Sequence, residues 1–230
     1  ASRGLGDVYK RQSILRGFIL PKFFLENCGA YLAAIRSIGR TEEYFYMPVF
    51  ESAAMIPPQT RREALTEVRA QLDTVSGSIL NIRVGGNDLS HAFGLRRPAN
   101  RTIYDLRPVA DILIDIVAAF GTQYVVSGPV WEYYSGEGWE EGLRREMELD
   151  LLNGFTGKTV IHPNQIPVVN EMLRVSQRDY ADARAILNWD TGSGSLVSAS
   201  EDGGRMNEYN THSRWARRIV LRAERYGVRA

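Results

Sequence analysis

Short apolar runs alternate with longer amphipathic segments along most of this chain. Five runs of three to seven residues are apolar, rich in β-branched or aromatic residues and bounded by glycine or proline, which is typical of buried strands. They lie at residues 17–20, 44–50, 79–84, 124–127 and 159–161. The second and third runs are apolar almost throughout, as expected for strands that are covered on both faces.

Between these runs, apolar residues recur at the three- and four-residue spacing of helices. This spacing predicts helices at residues 60–75, 105–120, 138–152, 164–187 and 211–226. The fourth segment is long enough to divide into two helices. Strand and helix alternate without a β-hairpin signal, which indicates right-handed βαβ units and a parallel sheet. Two architectures fit this α/β pattern, an open doubly wound sheet and most of an eight-stranded barrel.

The two ends of the chain depart from this pattern. Residues 1–12 show neither period, and their last part resembles translated adaptor sequence, so we expect a non-native leader. Residues 190–204 are polar and rich in glycine and serine, which predicts a mobile loop before the last helix. We therefore expect an α/β domain at residues 13–188, followed at 189–230 by this loop and an amphipathic helix.

Composition excludes several classes of protein. With 230 residues, 44% of them hydrophobic, the chain can bury a sizeable core. A net charge of +1 and a pI near 8.1 do not favour nucleic-acid binding by long-range attraction. The single cysteine, Cys28, excludes an internal disulfide and fits a reducing cytosol. No run reaches the ~18–20 apolar residues of a membrane span. We expect a cytoplasmic protein without nucleic-acid or membrane partners.

Two acidic residues follow predicted strands at the point where each strand ends. Glu51 comes directly after YFYMPVF, and Asp88 follows ILNIRV across a Gly-Gly-Asn turn. Strand carboxyl ends in a parallel α/β fold open onto one face, so these carboxylates are expected to converge. Hard oxygen ligands of this kind suit Mg²⁺. The alternative is that Glu51 caps a helix beginning near Ser52 and Asp88 stabilises a turn.

Four motifs, in the same order, resemble the HpcH/HpaI aldolase and citrate lyase β-subunit family. They are GFILPKF at 17–23, MPVFESAAMI at 47–56, RVGGNDLSHAFGLRR at 83–97 and GFTGKTVIHPNQIPVVNEML at 154–173. The similarity covers residues 14–187 and extends more weakly through 206–223. That closing segment, together with GGNDLS and FGLRR in the third motif, most resembles the citrate-lyase-like proteins of tellurium-resistance gene clusters.

The resemblance implies a fold and a chemistry. It implies an incomplete (β/α)₈ TIM barrel, about the last five βα units, with a C-terminal helical extension. It also implies that Glu51 and Asp88 hold Mg²⁺ or Mn²⁺, and that the reaction makes or breaks a carbon–carbon bond through an enolate whose charge the cation neutralises. The expected substrate is a small carboxylate: an α-keto acid, a hydroxy acid or an acyl thioester.

Further residues in these motifs are candidates for the site. Lys22 and Arg83 are candidate catalytic residues that would bind a substrate carboxylate, although each could instead form an ion pair within the protein. The candidate substrate-binding residues are Gly85, Gly86, Asn87 and His162. The glycines would allow close approach of a ligand, but turn formation explains them equally well. We expect His162 to orient its loop by hydrogen bonding rather than to act as an acid or base.

A thioester carrier, coenzyme A or an acyl-carrier protein, is a further expectation. The cluster Arg96, Arg97 and Arg101 could bind its phosphates, although a solvated basic loop is the more common outcome. A complete relative begins with three further βα units that include a substrate-contacting arginine, and their motifs are absent here. We therefore expect the chain by itself to be inactive or poorly stable, and its full-length parent to be a homo-oligomer.

Two other functions remain open at this point. One is a non-catalytic barrel that binds a metabolite, and the other is a pyruvate- or enolpyruvate-handling enzyme that uses the same enolate chemistry without carbon–carbon cleavage. A doubly wound nucleotide-binding fold is disfavoured, because neither a G-x-G-x-x-G motif nor a P-loop follows any predicted strand.

Overall fold

A computed structural model describes residues 15–38, 44–190, 197–201 and 203–229 of the chain. The chain divides into two compact units, one ending at Gln165 and the other beginning at Ile166. The expected leader at 1–12 lies outside the described residues. The α/β domain predicted from the sequence ends at residue 188, and this domain boundary stays a prediction.

The first unit contains one parallel sheet whose strands pair in the order in which they occur along the chain. Its strands are β1 (Gly17–Leu20), β2 (Phe45–Phe50), β3 (Ile82–Val84), β4 (Val126–Gly128) and β5 (Gly157–Lys158). In the doubly wound alternative the strand order reverses within the sheet, whereas a barrel wall keeps chain order. The observed order is therefore that of a barrel wall.

Helices connect consecutive strands of this sheet. They are α1 (Leu25–Ser37), α2 (Pro58–Asp73), α3 (Gly86–Ala92), α4 (Arg107–Phe120) and α5 (Trp139–Leu152). Helix α1 was not predicted, although Cys28, Leu32 and Ile35 form its buried face. Helix α3 was also missed, because a Gly-Gly-Asn sequence favours a turn.

The core of this unit lies between the sheet and the helices. Residues of β2 alternate, so that Tyr46 and Phe50 are buried while Phe45 is 43% exposed. The ring of Phe50 packs against Phe120 of α4, with 4.9 Å between ring centroids. Phe23 and Phe24, just before α1, contact the same ring. One strand residue thus joins β2 to two of the surrounding helices.

In its described residues, the second unit contains three helices and two small sheets. Its helices are α6 (Gln165–Met172, which starts at the last residue of the first unit), α7 (Gln177–Leu187) and α8 (Tyr209–Tyr226). Its strands are β6 (Val175–Ser176), β7 (Val197–Ala199), β8 (Met206–Glu208) and β9 (Val228–Arg229). The predicted helix at 164–187 is divided by β6, which pairs with β9. The apolar core of the second unit is formed by α7, α8 and β6.

Part of the predicted mobile loop is a β-hairpin. Residues 191–196 and residue 202 lie outside the described residues, but β7 and β8 pair in antiparallel fashion on either side of residues 200–205. Arg205 stabilises this region, because its guanidinium forms ion pairs with Asp179 and Asp182 and lies over the ring of Trp215. None of the helices in the described part of the chain combines the length and apolar character that a membrane span requires.

We predict that Phe50→Ala lowers the free energy of unfolding by about 3–5 kcal/mol, because it leaves a cavity among buried rings. The matched control is Phe45→Ala on the same strand, whose exposed side chain should contribute about 1 kcal/mol or less. Urea unfolding followed by circular dichroism measures both values. Equal losses in the two variants would contradict the assignment of Phe50 to the core.

Candidate active site

Three successive strand ends bring Lys22, Glu51 and Asp88 together. Lys22 follows β1, Glu51 follows β2, and Asp88 lies in the first turn of α3, just after β3. The backbone N–H of Lys22 donates to Oε1 of Glu51 at 2.9 Å. The Nζ of the same lysine lies 3.3 Å from Oδ1 of Asp88. Lys22 therefore links the two carboxylates that the sequence analysis paired.

The backbone of Lys22 has an unusual conformation. Its φ angle is +49°, and it is the one residue other than glycine with a positive φ in the described part of the chain. This conformation costs about 1–3 kcal/mol and persists where the surroundings hold it. Here the N–H of Lys22 is bound by Glu51, and its carbonyl accepts a hydrogen bond from Nδ2 of Asn27 at 2.7 Å. Both bonds hold the backbone of Lys22 against Glu51.

Gly85 makes room for the carboxylate of Glu51. The N–H of Gly85 donates to the carbonyl of Phe50 at 2.9 Å, which brings the two chain segments close together. A Cβ atom added at Gly85 would overlap Cβ and Oε2 of Glu51. A Cβ atom added at Gly86 would instead collide with the side chains of Ile103 and Pro129. Gly85 therefore leaves space for the side chain of Glu51, whereas Gly86 allows close packing of Ile103 and Pro129. Contact of either glycine with the substrate stays a prediction.

The purely structural roles considered for Glu51 and Asp88, a helix cap and a stabilised turn, have different outcomes. Ser52, rather than Glu51, caps the following helical turn, because its Oγ accepts from the N–H of Ala54 at 3.2 Å. The idea that Glu51 is a helix cap is therefore wrong. Asp88 lies in the first turn of α3, where a negative charge interacts favourably with the helix dipole. A contribution to helix stability is thus compatible with a second role in binding.

Arg83 lies on β3 between two buried neighbours and is itself half-buried. Its Nη2 donates to Oγ1 of Thr159 at 3.1 Å, across the intervening strand β4. Burial lowers the pKa of the Arg83 guanidinium, while the negative charge of Glu51 acts in the opposite direction. The Arg83 guanidinium therefore interacts with the charge of Glu51, and its Nη2 has a partner in Thr159.

His162 packs against an aromatic ring, and Asn87 lines a cavity. The His162 ring stacks on Tyr134 with 4.3 Å between centroids, and its Nδ1 accepts from the N–H of Asn164 at 3.2 Å. These contacts support the expected orienting role for His162. Asn87 is exposed and, next to Asp88 in the chain, lines a cavity of about 360 Å³. Ser90, His91, Arg96 and Glu132 are among the other residues lining it.

Gln165, in the fourth motif, has a structural role that was not predicted from the sequence. Its side chain is buried, and its amide nitrogen donates to the carbonyls of Trp131 and Tyr133, at 2.8 Å each. Its amide oxygen accepts from the N–H of Ile161 at 2.9 Å. The hydrogen bonds of Gln165 therefore link the loop after β4 to the loop after β5. Its position two residues after the His-Pro pair was the available signal.

A buried ionic network joins the last residue of β5 to helix α5. Nζ of Lys158 lies 2.8 Å from Oε1 of Glu146 and 2.7 Å from Oδ2 of Asp150, and all three side chains are essentially inaccessible to solvent. The hydroxyl of Tyr104 donates to Asp150 at 2.7 Å. Burial raises the pKa of the Asp150 carboxyl, and the charge of Lys158 opposes that effect. Two carboxylates and their cations thus anchor α5 to β5.

Arg97 belongs to this network, which corrects the expectation of a basic cluster. Its Nε lies 2.9 Å from Oε2 of Glu146, and its guanidinium lies over the ring of Trp131. Arg97 is buried, so it is neither part of a solvated basic loop nor accessible to a phosphate group. Arg96 pairs with Glu132 at 3.5 Å and Arg101 with Asp105 at 3.6 Å. The three arginines therefore have three different carboxylate partners, which their adjacency in sequence did not reveal.

Glu51 and Asp88 are the residues that could hold a metal. In the described part of the chain, no three His, Cys, Asp or Glu side chains form a group suited to a metal ion. Two carboxylates nevertheless suffice for Mg²⁺, which takes its remaining oxygen ligands from water and substrate. Both are at least partly open to solvent. The donor set thus fits a magnesium or manganese ion and does not fit a tetrahedral zinc site.

Comparison with known proteins identifies similar sequences and folds. A family model described as a carbon–carbon bond lyase of the TIM-barrel fold matches residues 3–228. The L-malyl-CoA/β-methylmalyl-CoA lyase of Cereibacter sphaeroides is 38% identical over 74 residues, which are 31% of this chain and 22% of that relative. The matched segment therefore spans about a fifth of the relative's length.

Two solved structures have a similar fold. A citrate lyase from Burkholderia xenovorans aligns with a TM-score of 0.66 and 17% identity, covering 93% of this chain and 65% of that one. The protein CitE from Mycobacterium tuberculosis, in complex with magnesium, acetoacetate and coenzyme A, aligns with a TM-score of 0.54 and 21% identity, covering 90% of this chain and 77% of that one. At these identities the likeness shows the fold alone.

We predict that Gly85→Ala lowers the free energy of unfolding by about 1–3 kcal/mol, because the added methyl group displaces Glu51 or its own backbone. Gly29→Ala in α1, where an added Cβ meets nothing within 4 Å, should instead raise it by about 0.5–1 kcal/mol. Chemical denaturation measures both changes. A neutral Gly85→Ala variant would show that the close approach to Glu51 is not required.

We predict that Lys158→Met lowers the free energy of unfolding by about 3–5 kcal/mol, because it leaves two buried carboxylates without their shared cation. Arg107→Met, which removes the exposed i,i+4 partner of Asp111 in α4, should cost only about 0.5 kcal/mol or less. Guanidinium unfolding of both variants provides the comparison. Similar small losses would argue against the network as an anchor of β5.

Proposed function

Because the chain belongs to the family of carbon–carbon bond lyases of the TIM-barrel fold, we propose that it is the part of a metal-dependent lyase that carries the metal-binding carboxylates. The observation that carries this proposal is the convergence of Glu51 and Asp88 on Lys22 at three neighbouring strand ends. Strand carboxyl ends are where barrel enzymes place their catalytic groups.

Glu51 and Asp88 would hold a Mg²⁺ or Mn²⁺ ion. When bound, such an ion supplies the positive charge that stabilises an enolate during carbon–carbon cleavage or formation. Glu51 is already oriented, since one of its oxygens accepts the Lys22 N–H and Gly85 leaves space beside the other. Neither carboxylate needs to act as a nucleophile in this chemistry.

The cations at the site favour an anionic substrate. The Arg83 guanidinium lies near Glu51 and the Lys22 ammonium group lies near Asp88, and each could pair with a carboxylate of the substrate. This arrangement favours a small anionic compound, an α-keto acid or a hydroxy acid, or the acyl part of a thioester. The candidate substrate-binding residues Gly85, Gly86, Asn87 and His162 remain part of this proposal, with His162 acting through its loop.

A coenzyme A thioester is the carrier that the comparisons favour. The relative from C. sphaeroides is named for malyl-CoA cleavage, and CitE from M. tuberculosis binds coenzyme A with magnesium. Asn87, the neighbour of Asp88 in the chain, lines a cavity of about 360 Å³ that could take part of a ligand. A cytoplasmic location and a homo-oligomeric assembly of the whole protein complete the proposal.

Titration calorimetry with Mg²⁺ or Mn²⁺ in the presence of oxaloacetate tests this function. We expect the chain to bind the metal, and we expect Asp88→Asn and Glu51→Gln to weaken binding about tenfold or more, because each removes a ligand charge. Asp111→Asn is the control, since Asp111 is an exposed carboxylate on α4 that pairs with Arg107. Circular dichroism establishes that every variant is folded.

Equal metal affinity in the chain, in Asp88→Asn and in Glu51→Gln would refute the two-carboxylate site. If the metal site stands, product analysis on the metal-loaded full-length parent separates the possible reactions, because the chain by itself is expected to be inactive. Cleavage of a malyl or β-methylmalyl thioester into two products identifies a lyase, and turnover of pyruvate or enolpyruvate without cleavage identifies the related activity. Binding without turnover identifies a metabolite-binding barrel.

A further inference from the structure

Lysine is rare in this chain, and its positions are informative. Three of the 28 basic residues are lysines, at positions 10, 22 and 158. Most ion pairs described above use arginine, whose planar guanidinium forms fixed, bidentate contacts. Lysine differs because its ammonium group is a compact charge on a flexible four-carbon stem. Lys158 is buried between two carboxylates, whereas Lys22 lies at the open site.

The backbone of Lys22 is held firmly while its ammonium group is not. Glu51 and Asn27 bind the N–H and carbonyl of Lys22. By contrast, the side chains of Lys22 and Asp88 are 69% and 47% exposed, and Nζ approaches Asp88 at 3.3 Å. Exposed pairs of this kind are weak. The ammonium group can therefore leave Asp88 without disturbing the backbone contact that orients Glu51.

A divalent cation would change the charge balance of the site. Glu51, Asp88, Lys22 and Arg83 together carry no formal net charge, because two carboxylates are matched by one ammonium and one guanidinium group. A divalent cation bound to the carboxylates makes that sum +2 and repels the ammonium group of Lys22 from Asp88. An anionic substrate then restores balance and offers the ammonium group a new partner.

We propose that Lys22 is an exchangeable cation. Its ammonium group neutralises Asp88 when no divalent metal is bound, and it moves to a carboxylate of the substrate when the metal binds Asp88. This role rests on the proposed function, since it requires a metal at Glu51 and Asp88. It implies that Lys22 opposes metal binding and supports substrate binding, so that one substitution changes the two affinities in opposite directions.

Mn²⁺ and pyruvate serve as probes in a test with three Lys22 variants. Lys22→Met keeps the length of the side chain and removes its charge, Lys22→Gln removes the charge but keeps polarity, and Lys22→Arg keeps the charge. Calorimetry should show that the first two bind Mn²⁺ about fivefold more tightly than the unchanged chain, a change of the size of one weak surface ion pair. Lys22→Arg should bind Mn²⁺ much as the unchanged chain does.

The second arm measures pyruvate binding at saturating Mn²⁺. We expect Lys22→Met and Lys22→Gln to bind pyruvate about tenfold more weakly, because the lost charge-assisted bond is to the carboxylate. Unchanged or weaker Mn²⁺ binding in both neutral variants overturns the exchange, and so does unchanged pyruvate binding. A purely structural pair between Lys22 and Asp88 would not change the two affinities in opposite directions.

The variant Asp88→Asn distinguishes failure of the Lys22 exchange from failure of the proposed function. If Asp88→Asn binds Mn²⁺ as tightly as the unchanged chain, Asp88 is not a ligand, and both proposals are wrong. If Asp88→Asn loses binding while the neutral Lys22 variants match the unchanged chain, the metal site stands and the exchange is wrong. Circular dichroism of Lys22→Met and Lys22→Gln shows whether either variant is unfolded, and the folded one decides the outcome.

Discussion

The parallel pairing of β1 to β5 in chain order is the constraint on which the rest of the first unit depends. Since every strand points the same way, the residue that follows each strand arrives at the same edge of the sheet. Lys22, Glu51 and Asp88 are far apart in the chain, yet each lies just beyond a strand of this sheet. Their contacts therefore follow from the pairing of β1, β2 and β3.

The two described lysines show how burial decides what a charge can do. Lys158 is enclosed with Glu146 and Asp150, so its movement would leave buried carboxylates unpaired, at a large cost in free energy. Lys22 is exposed, and water can replace Asp88 as its partner at little cost. The first lysine consequently fixes β5 to α5, and the second is available for exchange at the site.

The sequence predicted those parts of the fold and site that follow from local pattern. The positions of Glu51 and Asp88 after apolar runs were sufficient to place them at one edge, and the alternation of elements predicted the parallel sheet. The burial of Arg97 could not be predicted, because it depends on Glu146, 49 residues further along the chain. The bridging position of Lys22 depends on a positive φ angle, which a lysine rarely adopts and which its neighbours impose.

The two carboxylates differ in rigidity, and this difference suits the proposed metal. Glu51 is held by the backbone of Lys22 and confined by Gly85, so its oxygens have a defined direction before any ligand arrives. Asp88 has a weak side-chain partner on an exposed helix turn and can adjust. Mg²⁺ requires nearly octahedral geometry. One fixed ligand can set the position of the ion, while the adaptable ligand, water and substrate complete the octahedron around it.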